Sequence, residues 1–86
     1  MNVLTIECIE IFENDLGFIN RNLIYRTEIK NESDGIQKIE NYLIRNFITY
    51  NKVTDINYND LLYLYNVQNY NGFWSLIGFK FGSLEV

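Results

Sequence analysis

The apolar and polar positions of this chain follow two different periods. Residues 3–12, VLTIECIEIF, are β-branched and partly alternating, and they predict a strand. Asn14, Asp15 and Gly17 supply turn chemistry just after it. Residues 18–30 alternate again, with Ile19, Leu23, Tyr25 and Ile29 on one face and Asn20, Asn22, Arg26 and Glu28 on the other. That is the pattern of a half-buried strand, hairpinned to the first.

After NESDG the period becomes helical. Ile36, Ile39, Leu43 and Phe47 recur on one helix face, and Ile44 and Ile48 widen the stripe. Ser33 or Asp34 can cap the start, and Asp34 with Gln37 resembles a capping box. Arg45 and Lys52 lie toward the end where the helix dipole favours cations. The helix is expected over residues 34–50.

Residues 51–60 read as a polar connector. LLYLYNVQ at 61–68 reads as a strand, with a short helix capped by Asn59 as the rival. Asn71-Gly72 is a strong hairpin signal, because a type I′ turn needs positive φ at both central residues. Residues 73–81 form the return strand. The order ββαββ predicts a single α+β domain over residues 1–86, with one amphipathic helix packed on one face of a small antiparallel sheet. No internal repeat is read in it.

A two-residue Asn71-Gly72 loop places Tyr70 opposite Phe73. Leu62 then opposes Phe81, Leu64 opposes Phe79 and Asn66 opposes Ile77, an apolar side suited to the helix. The other side pairs Tyr63 with Lys80, Tyr65 with Gly78, Val67 with Leu76 and Asn69 with Trp74. There Tyr65 can shield Gly78, and Lys80 can lie over the Tyr63 ring. One helix covers one face, so Tyr63, Tyr65, Val67, Trp74, Leu76 and Lys80 form the expected protein-binding surface. A register one residue away would exchange the two sides, and the tail GSLEV or the second N-terminal segment could cover the patch.

Charge narrows the partners. The 86 residues carry 7 basic and 11 acidic side chains, a net charge of −4. Duplex nucleic acid is held by neutralising its phosphates with Lys and Arg, so it is not the expected partner. GFKFG at 78–82 departs in order and in basic residues from the aromatic-glycine motif of RNA-recognition sheets. Single-stranded nucleic acid stacked on aromatics is therefore a minority alternative. Glu7, Glu10, Glu13 and Asp15 cluster in sequence and are expected to form an acidic edge that steers the chain toward a basic surface.

Catalytic chemistry is poorly supplied. The absence of His removes Ser-His and Cys-His pairs. The lone Cys8 sits in an apolar strand, where a buried inert thiol is expected. No metal-ligand spacing and no phosphate-cradling glycine loop is present, so neither a metal nor another cofactor is expected. No signal peptide and no apolar run of about 20 residues is read, and a lone cysteine suits a reducing cytoplasm.

In general type, a small acidic domain rich in Asn, Ile and Tyr is similar to accessory proteins of phages and mobile elements that inhibit a host protein by binding it. The expected function is therefore a non-enzymatic protein-binding module, an inhibitor or antagonist of a larger protein. The alternative is a structural homodimer that buries the same aromatic sheet face against its own copy.

Overall fold

A computed structural model describes all 86 residues. Its elements are β1 (Asn2–Glu13), β2 (Ile19–Ile29), α1 (Glu32–Asn46), β3 (Thr49–Val53), β4 (Tyr63–Gln68) and β5 (Trp74–Glu85). The strands form one antiparallel sheet in the order β2-β1-β5-β4-β3, and the helix packs on one face. The expected α+β architecture is present. Its one addition is β3, which pairs Thr49–Val53 with Leu64–Gln68 where the pattern predicts the last helical residues, 49–50, and the start of the polar connector. No helix is long and apolar enough to cross a membrane.

The helix starts earlier and ends sooner than its pattern predicts. Asn31 is the cap: its Oδ1 accepts from the Asp34 N–H at 2.9 Å, and the Asp34 carboxylate accepts from the Lys30 N–H at 2.8 Å. At the other end Phe47 turns extended, and the Ile48 N–H donates to the Gln68 carbonyl. The sheet thus takes the chain before residue 50. The buried face is Gly35, Ile39 and Leu43, while Ile36 is 38 % exposed. Gly35 permits this rotation of the helix, because a Cβ there would lie 2.6 Å from the Phe81 ring and 2.9 Å from an Ile29 methyl.

Residues directly opposite one another on antiparallel strands share a face. On the helix face Ile6, Cys8, Ile29, Val67, Ile77 and Phe79 join Ile39 and Leu43 in the main core. On the other face Ile9, Ile11 and Leu64 form a second core, closed by Leu61 and flanked by Tyr58 and Val53. These three come from the β3–β4 stretch, so a connector covers the face that one helix leaves open. Leu61 seats directly on Gly78, where a Cβ would come within 2.6 Å of its methyl. The expected Tyr65 lid on Gly78 is therefore replaced by Leu61.

Candidate protein-binding surface

The expected aromatic face is divided between the two sides of the sheet. Tyr63 pairs with Phe79 and Tyr65 with Ile77, one residue away from the sequence-derived register. Tyr63, Tyr65 and Val67 consequently face the helix, and Val67 is fully buried. Trp74, Leu76 and Lys80 lie on the connector side, where Leu76 packs on the second core. Lys80 does not cover Tyr63. It lies 3.8 Å from Glu7, and Lys52 takes the place over the Tyr63 ring at 5.3 Å.

The cause is the loop. Asn69 donates its N–H to the Phe73 carbonyl, and the Gly72 N–H returns to the Asn69 carbonyl. The loop is Tyr70-Asn71-Gly72, and only Gly72 has positive φ, at 88°. That is a type I turn followed by a left-handed glycine, which adds one loop residue relative to the type I′ turn. The Asn69 side chain reinforces it by accepting from the N–H groups of Asn71 and Phe73.

The same loop occurs a second time. Asn14 donates to the Phe18 carbonyl, Gly17 returns to Asn14, and Gly17 has φ 84°. The Asn14 side chain accepts from the N–H groups of Leu16 and Phe18. NDLGF and NYNGF are thus one N-x-x-G-F motif used twice, a repeat hidden by its short length.

Both loops project from the same end of the sheet. The C-terminal end of β1 runs beside the start of β5, with Ile11 opposite Leu76. Met1 and Val86 are hydrogen-bonded to each other at the opposite end. The shared end carries Phe12, Leu16, Phe18, Ile19, Tyr70, Phe73 and Trp74, all exposed. Leu16 is 80 % exposed, Phe73 70 % and Trp74 56 %. Of the sequence-derived surface residues only Trp74 belongs to this group. The missed signal is bulky apolar residues inside and beside turn motifs, where no core can reach them.

The acidic edge also separates. β1 lies inside the sheet, and its alternation sends Glu7 to the connector side and Glu10 to the helix side. Glu7 is only 8 % exposed and is held by Arg26 Nε at 3.1 Å together with Lys80. Glu13 and Asp15 remain exposed beside the first tip. Arg21 is the nearest cation along the chain, and its guanidinium is bound to Asp60. The β1–β2 side of the apolar end therefore carries two acids in no ion pair, while its nearest cation is already paired.

Cys8 is buried at the centre of the main core, directly opposite Phe79. Burial, with the Glu10 charge adding to it, pushes its thiol pKa up to about 12. It remains a protonated thiol at neutral pH. No three His, Cys, Asp or Glu side chains converge on a common point. No family model matches the chain, and no curated protein or solved structure does so.

Proposed function

We propose that this chain is a non-enzymatic protein-binding module that engages a larger protein through the end of the sheet bearing the two matched loops. One observation carries the reading: large apolar side chains gather at that end in water, on turns held by their own hydrogen bonds. Contiguous exposed apolar patches mark interaction sites, and aromatic residues dominate binding hot spots. The tips are preorganised, so little ordering entropy opposes docking. Glu13 and Asp15 suit a partner whose apolar cleft is rimmed by Lys or Arg. Acting as an antagonist requires only that such a cleft be occupied.

The test pairs variants with two measurements. Phe73→Ala and Trp74→Ala are expected to keep the fold while weakening capture of the cognate protein by about 2 kcal/mol or more. Molar mass in solution separates the outcomes. A monomer whose capture depends on Phe73 and Trp74 supports the module. A dimer that these variants dissociate assigns the end to self-association. Capture indifferent to both variants removes the end from consideration.

A further inference from the structure

A second region, on the helix side of the sheet, has different chemistry. Between α1 and β2 lies an open hollow of about 380 Å³, within the size range of small-molecule sites. It is lined by Tyr25, Lys38, Asn41, Tyr42, Arg45 and Asn46, with no carboxylate among them. The four central helix residues fall at i, i+3, i+4 and i+7, a spacing that places them on one helix face.

The cations are the unusual feature. Acids outnumber bases 11 to 7 in this chain, and Arg21, Arg26 and Lys80 are each in an ion pair. Lys30, Lys38, Arg45 and Lys52 are in none; Lys52 lies over the Tyr63 ring, whereas Lys38 and Arg45 border one hollow. A cation in the last helical turn is explained by the helix dipole, which accounts for Arg45. It does not account for Lys38, which is mid-helix and half-buried.

The remaining lining is fixed and supplies further donors. Tyr42 stacks on Tyr25 with ring centroids 4.3 Å apart and meets Phe47 and the buried Phe79 edge-on. Its hydroxyl pKa is pushed up to about 12, chiefly by burial, so it stays a neutral donor at physiological pH. Glu10 is the acid whose charge reaches Tyr42, and it lies outside the lining. Asn41 accepts from Gln37 through Oδ1, leaving its amide N–H groups for a ligand. Asn46 is held by its bond to the Tyr42 carbonyl.

We infer that this hollow binds a phosphate monoester, with its oxygens on the Arg45 guanidinium, the Lys38 ammonium and the Asn41 amide. Two unpaired cations match the charge of about −1.5 to −2 that a phosphate monoester carries at pH 7. A carboxylate would neutralise only one of them. Arginine's planar fork also suits bidentate phosphate recognition. This site is separate from the two-loop end, so its success or failure is independent of the protein-binding reading.

The experiment is an NMR titration of the labelled chain at low salt, following the Arg45 Nε–H and Asn41 side-chain signals. Inorganic phosphate and adenosine monophosphate are the two probes. Saturable shifts at these groups are expected, with affinity falling about tenfold or more in Lys38→Gln and in Arg45→Gln. Arg45→Lys should retain an intermediate affinity, because charge remains while the fork is lost. Tighter binding of the nucleotide than of phosphate would place its base against the tyrosine stack. Equal affinity would define a site for the phosphate group alone. Absence of shifts with both probes, or shifts that both glutamine variants leave unchanged, would overturn the inference.

Discussion

The β1–β2 and β4–β5 hairpins close with the same loop and differ below it. In β4–β5 the pairing set at the tip continues unbroken from Gln68–Trp74 to Tyr63–Phe79. In β1–β2 it holds from Glu13–Ile19 to Ile9–Leu23 and then shifts between Cys8 and Ile9. Ile24 is the extra residue, a β-bulge that exchanges the faces of β2. Ile19 and Leu23 therefore face the connector side, whereas Tyr25 and Ile29 face the helix, although all four sit at odd positions. A loop sets register only as far as the first bulge. Beyond it, the packing of Tyr25 on Tyr42 and of Ile29 in the core is satisfied on the opposite face.

The largest effect is expected where the hairpins join. Cys8 of β1 and Phe79 of β5 stand opposite each other, both fully buried. Phe79→Ala should cost about 3–5 kcal/mol in urea unfolding, through lost burial and the cavity left behind. A cost near zero would mean that the seam is not the core.

Alkali should loosen the same seam from its other side. The Cys8 thiol ionises near 9.0 when free and near 12 when folded, so its folded-state pKa is raised. Its contribution is complete below pH 9 and is lost as pH rises from 9 to 12, by about 4 kcal/mol in total. The partly buried Tyr42 hydroxyl, whose pKa burial also raises, adds a loss in the same direction above pH 10. Urea midpoints measured from pH 8 to 10.5 should fall, and Cys8→Ala should flatten the first part of that fall. A pH-independent midpoint in the parent chain would contradict the burial of this thiol.

The loops themselves should respond alike. Gly17→Ala and Gly72→Ala each force a side chain into positive φ, at about 1–2 kcal/mol. No atom lies within 4 Å of a Cβ at Gly72, and at Gly17 the nearest is a Glu13 oxygen at 3.6 Å, so backbone strain is the whole cost. Markedly unequal values would break the equivalence of the two tips. Asn14→Ala and Asn69→Ala each remove one side-chain oxygen that accepts two backbone hydrogen bonds, and each should cost about 0.5–1.5 kcal/mol. Trp74→Ala should have the smallest effect on folding, within about 0.5 kcal/mol, because its side chain is largely in water. A loss comparable to that of Phe79→Ala would place Trp74 in the core instead.

Local pattern was enough for the elements that depend on near neighbours. Period-two alternation located β1, β2, β4 and β5 to within two residues except where β5 runs on to Glu85, and period 3.6 located α1 through Ile39 and Leu43. The antiparallel α+β arrangement follows from their order and from the turns between them. Side-chain chemistry alone also assigned Cys8 to a buried strand.

Choices between nearly equal local energies were settled only by tertiary contact. Asn71-Gly72 is compatible with a two- or a three-residue loop, and packing of Tyr63, Tyr65 and Val67 against the helix side selected the longer one. That single residue moved every β4 side chain to the opposite face, because strand side chains repeat every two residues. Residues 49–53 carry weak strand signals and became β3 because β4 offered an edge to pair with. Leu61 became a core residue because Gly78, distant in sequence, left space for it. The exposed end bearing Phe18, Phe73 and Trp74 arises from the antiparallel alignment of β1 with β5, a long-range pairing that brings two distant copies of one short motif side by side.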